Sequence, residues 1–160
     1  MFDSANTATK VQNTELLSVR IGEQEFALNI MSVREIRGWS SSTPLPHAPA
    51  YIKGMVNLRG LVVAIVDLAE RLGLPTNEPT ASSVVVVVEI GDQIVGLLVD
   101  AVCDIITVTD DMIQESPNVG SGPANEAVQG LVILEGRIVS VIRVDAILPK
   151  NMPTGDVLAA

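Results

Sequence analysis

Short apolar runs separated by polar turns cover most of this chain, a pattern that predicts β-strands. The run from Leu61 to Val66 is long enough for a strand and too short for an independent helix. Another apolar segment ends just before it at Leu58. Arg59 and Gly60 between the two are a tight-turn signal, because Gly adopts positive φ without a Cβ clash. The sequence therefore predicts a β-hairpin with Asn57 and Arg59 close to its tip.

The next polar position predicts a short helix after this hairpin. Asp67 is suited to cap a helix from Leu68 to Leu72, and Gly73 and Pro75 are suited to end it.

The same patterns occur twice along the chain. GLVILEGRIVSVIRV from Gly130 aligns without a gap with the segment that begins at Gly54, at an offset of 130 − 54 = 76. GDQIVGLLVDAVCDI from Gly91 aligns with GEQEFALNIMSVREI from Gly22, at an offset of 91 − 22 = 69. The polar loop around 115–125 accommodates the difference between the offsets. These matches predict two tandem copies of one small β unit.

Three further details of the pattern bear on packing. The five valines from Val84 to Val88 lack alternation, which predicts a central strand buried on both faces, where the copies share their core. Gly96 lies in the returning strand, where a Gly marks either close approach by a neighbour or ligand, or a bulge. Ile30, Val33 and Ile36 are spaced by three, so one helical turn or a twisted strand would present them on one side.

Composition agrees with a β-rich domain. The 160 residues are 48% hydrophobic but only 2% aromatic, so the core must consist of Val, Ile and Leu. This length corresponds to one compact domain or two small halves with a shared core. We expect the domain to span 15–149, between flexible tails at 1–14 and 150–160. The chain has no apolar run long enough for a membrane helix and no signal-peptide pattern, which predicts a cytoplasmic protein.

Charge excludes one class of partner and leaves another question open. A net charge of −9 argues against nucleic-acid binding, which needs a basic surface to neutralise phosphates. From Glu15 to Leu74 six basic residues balance six acids, whereas from Val84 to Pro149 two Arg oppose ten acids. Two copies with unlike charge suggest two different partners, and solubility is an equally good explanation.

The chemistry of an enzyme is missing from the motifs. The sequence has no nucleophile elbow, phosphate-binding Gly loop, zinc cluster or dinucleotide fingerprint. His47 is the only His and lies between prolines, and Cys103 is the only Cys, so neither builds a metal site. We therefore predict a binding module with no catalytic residues, no metal and no cofactor. The role of Cys103 and of the tails stays open.

The stretch PAYIKGMVNLRGLVVAIVDL closely resembles the signature of the CheW-like coupling proteins of bacterial chemotaxis. FALNIMSVREI, IVGLLVDAVCDI and GLVILEGRIVSVIRVDAIL also agree and occur in the family's order, so the resemblance runs from about Glu15 to Leu148. One departure is Ala64, where the family often has Pro.

The resemblance implies an all-β fold of two SH3-like five-stranded barrels, in pseudo-tandem repeat, which share a hydrophobic core and carry short helices. We expect the first barrel mainly in 22–74 and the second mainly in 84–144, and we leave open an exchange of terminal strands between them. The implied function is a non-enzymatic adaptor that links the cytoplasmic hairpin tips of transmembrane chemoreceptors to the regulatory domain of the histidine kinase CheA. Such a protein is a monomer alone and is recruited into larger membrane-associated arrays.

The resemblance also implies binding residues. The receptor-facing positions are Ile30, Val33, Glu35, Ile36, Gly54, Asn57, Arg59, Gly96 and Ile105. The Gly- and Pro-containing loop after residue 114 is our candidate for the kinase side, through Glu115, Asn118, Val119 and Gly120.

Alternatives remain for individual residues and for the whole protein. Glu35 either pairs with a receptor base or holds Arg59, and the glycines either admit a partner's backbone or serve turn geometry. At the level of function, the alternatives are an adaptor of a non-flagellar pathway, such as one that controls pili, and a barrel that binds a small ligand.

Overall fold

The computed structural model describes residues 13–40, 46–47, 50–75, 78–114 and 127–147. Within these ranges the chain is almost entirely β, as predicted. The strands are β1 (Asn13–Ile21), β2 (Gln24–Asn29), β3 (Val33–Gly38), β4 (Ile52–Leu58), β5 (Leu61–Asp67), β6 (Val84–Ile90), β7 (Gln93–Val99), β8 (Ala101–Thr109), β9 (Val128–Leu134) and β10 (Arg137–Ile142). Short helices α1 (Leu68–Arg71) and α2 (Val144–Ile147) and the 3-10 turns Ile30–Ser32 and Asp110–Met112 connect them.

The strands form two five-stranded sheets. One has the order β3-β6-β7-β5-β4 and, with α1, is called the central barrel because its strands come from the middle of the chain. The other has the order β8-β1-β2-β10-β9 and, with α2, is called the terminal barrel. The sheets do not follow the expected division into 22–74 and 84–144. The hairpin β1–β2 joins the terminal barrel and β6–β7 joins the central barrel, so each repeat copy contributes its leading hairpin to the other copy's sheet.

The two hairpin turns, each formed by a charged residue followed by Gly, adopt the same conformation. Arg59 and Gly60 have φ of 53° and 88°, and Glu135 and Gly136 have φ of 50° and 84°. Positive φ at both central residues is the mark of a type I′ turn, whose twist matches that of the flanking strands. The predicted hairpin and its repeat are therefore confirmed.

The valine run of β6 is buried on both faces, as predicted. Val86 and Val88 point into a core that contains residues of both barrels. Val85 and Val87 point the opposite way, into the interior of the central barrel with Val63 and Ile65. The interior of the terminal barrel is a third cluster, which includes Leu16, Ala27 and Val139. Because successive side chains of a strand point to opposite faces, one unbroken apolar strand serves two cores.

A backbone contact closes the terminal barrel. Gln114 lies beyond β8 and exchanges two 2.7 Å hydrogen bonds with Leu131 of β9. A Cβ at the neighbouring Gly130 would lie 2.5 Å from the Gln114 carbonyl oxygen. The absence of a side chain at Gly130 therefore allows the backbone at Gln114 to approach and pair with β9.

Asp67 caps α1 as predicted, and the side chain is buried. Its Oδ1 accepts from the N–H groups of Ala69 at 3.1 Å and Glu70 at 3.4 Å, and the Lys53 ammonium lies 3.7 Å from Oδ2. Burial raises the pKa of the Asp67 carboxyl above its usual range, although the backbone N–H of Glu70, the Lys53 ammonium and the backbone N–H of Ala69 oppose this shift.

We expect Asp67→Asn to remove a pH-dependent component of stability. The raised pKa means that the folded state binds a proton more readily than the unfolded state, so the Asp67 contribution falls as pH rises from about 4 through the folded pKa. Asn keeps the capping oxygen and does not titrate. Urea unfolding at several pH values should show the wild-type chain losing stability relative to the Asn variant as pH rises. A difference in unfolding free energy between the two chains that is constant with pH, or that grows in favour of the wild type, would contradict this. The variant Asp67→Ala loses the capping oxygen and should be less stable by about 0.5–2 kcal/mol.

Candidate partner-binding site

Three charged side chains meet at the free edges of the central barrel. Glu35 of β3 contacts Arg59, at the tip of the β4–β5 hairpin, with 2.8 Å between Oε1 and Nη1. Its other oxygen lies 3.2 Å from Nη1 of Arg37. The Glu35 side chain is 21% exposed and that of Arg59 is 75% exposed. Of the two roles considered for Glu35, the geometry therefore supports the one in which it holds Arg59, and it adds Arg37 as a second partner.

The electrostatics of this cluster keep Glu35 ionised. The hydrogen bond from Arg37, followed by that from Arg59, lowers the pKa of the Glu35 carboxyl below its usual range. The carboxylate therefore stays charged and paired to a lower pH than an isolated Glu would.

The position of Arg59 depends on the turn that carries it. Its φ of 53° is uncommon for a non-Gly residue. The side chain of Asn57 supports the turn, because its Oδ1 accepts a 2.8 Å hydrogen bond from the N–H of Gly60. The side-chain oxygen of Asn57 thus serves the turn, and it is the Arg59 guanidinium that projects into solvent.

A cavity of about 260 Å³ opens beside this cluster, between β3 and β4. Ile65, Val85 and Val87 form its floor, and these residues belong to the interior of the central barrel. Trp39 lines the same cavity and packs against that interior. Sequence reasoning identified neither Trp39 nor this opening, because the separation of the edge strands β3 and β4 is a property of the folded sheet.

The predicted aliphatic positions divide into two groups. Ile30 and Val33 are partly buried against the core shared by the barrels, whereas Ile36 and Ile105 are 46% and 56% exposed. Ile36 pairs with Val86, and Ile105 pairs with Leu17. The side chains of Val86 and Leu17 both point into the shared core. Because paired residues share a face of their sheet, both exposed Ile side chains lie on faces that carry the shared core. They are also equivalent in the repeat, at the offset of 105 − 36 = 69.

A β-bulge explains the spacing of three between Val33 and Ile36. Val33 pairs with Val88 and Ile36 with Val86, while the register shifts between Val33 and Glu35. The extra residue returns Ile36 to the face of Val33 and leaves Glu35 on the face of Val87. A twisted, bulged strand, and not a helical turn, therefore presents these two residues on one side.

The two predicted glycines are buried within the central barrel. Gly54 has φ of 149° and adjoins a β-bulge in β4, a conformation that L side chains rarely adopt. A Cβ at Gly96 would lie 2.7 Å from both Ile65 Cδ1 and Val85 Cγ1. The close approach at Gly96 thus comes from neighbouring side chains inside the barrel. The structure does not bring either glycine into the exposed cluster around Arg59.

The remaining predictions concern residues elsewhere. Glu115, Asn118, Val119 and Gly120 lie outside the described residues. Cys103 is exposed on β8. In the described ranges, no three His, Cys, Asp or Glu side chains come together as metal ligands would, and no helix is long and apolar enough to cross a membrane. Sequence reasoning also missed exposed apolar side chains at Met31 in the first 3-10 turn and at Ile133 and Ile138 in β9 and β10.

Comparison with known proteins identifies the family. A family model described as "CheW-like domain" matches residues 15–152. "Chemotaxis protein CheW" of Rhizobium meliloti is 48% identical over 137 residues, covering 86% of this chain and 88% of that protein. The crystal structure of "scaffolding protein TtCheW" from Thermoanaerobacter tengcongensis matches with a TM-score of 0.80 at 26% identity, covering 89% of this chain and 97% of that one. "Protein PilI" of Pseudomonas aeruginosa is 33% identical over 92 residues, covering 58% of this chain and 52% of that protein. The chain belongs to the CheW-like family.

Proposed function

We propose that this chain is a non-enzymatic chemotaxis adaptor that couples transmembrane chemoreceptors to the histidine kinase CheA. The observation that carries the proposal is the family match over residues 15–152. The relatives named for chemotaxis and for scaffolding match over most of their own lengths, so the similarity extends over the whole domain. At the receptor arrays the chain would act by binding alone.

The receptor-facing surface that we propose centres on Arg59. One nitrogen of the guanidinium contacts Glu35, and the side chain is 75% exposed, so other N–H donors can reach a carboxylate or carbonyl on a receptor hairpin. The pair with Glu35 restricts the side chain before binding, which lowers the entropy cost of ordering it. Exposed ion pairs of this kind add little to folding stability, so a role in recognition accounts better for an Arg held at a strained turn position.

Exposed Ile side chains supply the apolar part of this surface. Ile36 lies on β3, the strand that carries Glu35, and Ile105 occupies the equivalent position on β8. A helical receptor tip can lay apolar side chains against such positions, in the manner of a helix in a groove. Ile30 and Val33 support this surface from below because they are packed against the shared core. Gly54 and Gly96 act indirectly in this proposal, by shaping the central barrel.

The kinase-facing surface is assigned to the terminal barrel. Its described residues, with Asp100 included, carry nine acids and three Arg, whereas those of the central barrel carry six acids and five basic residues. Unlike charge on the two barrels suits two different partners and discourages each from docking at the wrong place. In the sequence, Glu115 directly follows Gln114, which makes the closing contact of this barrel. Glu115, Asn118, Val119 and Gly120 thus stay our candidates for kinase contact.

The test is assembly from purified components. The chain is mixed with CheA and with a receptor signalling fragment, and the mixture is separated by size-exclusion chromatography. We expect one co-eluting complex of all three proteins and stimulation of kinase activity that requires the chain. Absence of binding to either partner would refute the proposal for that pathway. Pairing with components of a pilus system instead would favour the non-flagellar alternative, towards which the partial match to "Protein PilI" points.

A further inference from the structure

The two barrels have few covalent connections. The chain passes from the terminal to the central barrel through the 3-10 turn Ile30–Ser32 and returns at Asp100, between β7 and β8. Asp100 is pinned to the β1–β2 hairpin, because its N–H donates to the Arg20 carbonyl at 3.0 Å and its Oδ2 accepts from the N–H of Gly22 at 2.6 Å. The angle between the barrels must otherwise be set by non-covalent contacts.

The two short helices provide such a contact. α1 follows the last strand of its repeat copy and α2 follows the equivalent strand of the other copy, so that Leu68 corresponds to Val144. Leu68, Leu72, Val144 and Ile147 all point into the shared core. Apolar packing resists separation of the barrels, but it is non-directional and does not by itself fix their relative rotation.

A directional contact spans the two helices. Nε of Arg71, the last residue of α1, donates a 2.6 Å hydrogen bond to the carbonyl oxygen of Ile147, the last residue of α2. Ile147 is the counterpart of Arg71 in the repeat, at the offset of 147 − 71 = 76, so the bond joins equivalent points of the two copies. The last carbonyls of a helix have no partner within the helix, and Arg71 satisfies one of them from the other barrel.

Tyr51 holds the same guanidinium from a second side. The Arg71 Cζ lies 5.2 Å from the centroid of the Tyr51 ring, within the range of a cation–π contact. Tyr51 is itself anchored, because its carbonyl oxygen accepts a 2.6 Å hydrogen bond from the N–H of Asp67 and its side chain packs against the shared core. The planar guanidinium is thus fixed both by its edge and by its face.

We propose that Arg71 and Tyr51 form a latch that fixes the angle between the barrels. Arg71 is a positioning residue in this role, because it need not touch any partner. The consequence for coupling rests on the proposed function: a receptor bound at Arg59 of the central barrel and at Ile105 of the terminal barrel keeps a set orientation to a kinase on the terminal barrel only while the latch is closed.

The latch is tested by measuring a distance between the barrels. The native exposed Cys103 labels the terminal barrel, and Asp92→Cys in the exposed β6–β7 turn labels the central barrel. We expect Arg71→Met to shift and broaden the spin-label distance distribution measured by double electron–electron resonance. Tyr51→Phe keeps the aromatic face and should leave the distribution unchanged. Arg71→Lys keeps the charge without the Nε–H and should also broaden it, which provides a second variant if Arg71→Met fails to fold.

Binding measurements separate this inference from the proposed function. With Arg71→Met or Arg71→Lys, binding of kinase alone should stay unchanged, because its proposed surface lies on one barrel. Binding of receptor alone should weaken, because its proposed surface includes Ile36 of the central barrel and Ile105 of the terminal barrel. Assembly of the three-component complex should weaken about fivefold or more. A distance distribution as narrow as that of the wild type in a folded Arg71 variant would overturn the latch. Failure of the wild-type chain to bind receptor alone or kinase alone would instead count against the proposed function, and the distance measurement would still test the latch.

Discussion

Glu35→Lys is expected to weaken receptor binding by about tenfold or more, equivalent to about 1.4 kcal/mol, while the protein stays folded. The substitution places a third cation between Arg37 and Arg59, which lie 3.2 and 2.8 Å from the Glu35 oxygens in the wild type. Repulsion should drive the Arg59 guanidinium away from the position in which it meets the receptor. Titration of a receptor signalling fragment, followed by calorimetry, measures the change.

The chain contains a matched control for this experiment. Arg34 and Glu89 form another ion pair between β3 and a neighbouring strand, at 2.9 Å and with both side chains about half exposed. Glu89→Lys reverses the same charge outside the proposed surface and should leave receptor affinity unchanged. Equal effects of Glu35→Lys and Glu89→Lys would show that net charge, and not the cluster at Arg59, governs binding.

A charge swap distinguishes bracing from recognition. The double variant Glu35→Lys with Arg59→Glu restores an ion pair between the two positions and should recover stability lost in the single variant. It should not recover receptor binding, because the guanidinium is absent. Recovery of binding in the swap would mean that the pair serves only as a brace.

Gly96→Ala is expected to destabilise the folded state by about 1–3 kcal/mol through overpacking. The new Cβ would lie 2.7 Å from side-chain atoms of Ile65 and Val85, closer than packed carbon atoms approach. Adding Val85→Ala in the same chain makes room for it and should return part of the loss. Chemical unfolding followed by circular dichroism measures both variants.

Gly38 is the matched control for Gly96. It also lies in a strand of the central barrel, but a Cβ there meets nothing within 4 Å, so Gly38→Ala should be close to neutral. Folded Gly96→Ala should keep its affinity for the receptor. Unchanged stability together with weakened binding would show that Gly96 is a contact residue after all.

Local features of the fold could be predicted from sequence because local physics decides them. The type I′ turn at Arg59 needs a glycine at the next position, and the strand Val84–Val88 needs two apolar surroundings, whatever the rest of the chain does. The sequence left an exchange of terminal strands open, but it could not predict that whole hairpins exchange. The two repeat offsets reveal which segments are related, but a hairpin presents the same pattern of apolar positions whichever of two similar sheets it joins.

The candidate site was also predictable only in part. The resemblance supplied Glu35 and Arg59, and the structure brings them into contact. It did not supply Arg37, which lies two residues beyond Glu35 in the regular part of β3 and therefore on the same face. The glycines were predictable in kind but not in detail. A Gly in a strand predicts a close approach by another group, but only the packed structure identifies the neighbours of Gly96 as Ile65 and Val85.

The exchanged hairpins also set an order of events on the ribosome. All strands of the central barrel lie between Val33 and Val99, so this barrel can close as soon as Val99 has left the exit tunnel. The β1–β2 hairpin is made before the central barrel, yet its partner strands β8 and β10 are translated after that barrel. This hairpin must therefore wait, with apolar side chains such as Leu16 and Ala27 uncovered, until β8 and β10 have been translated.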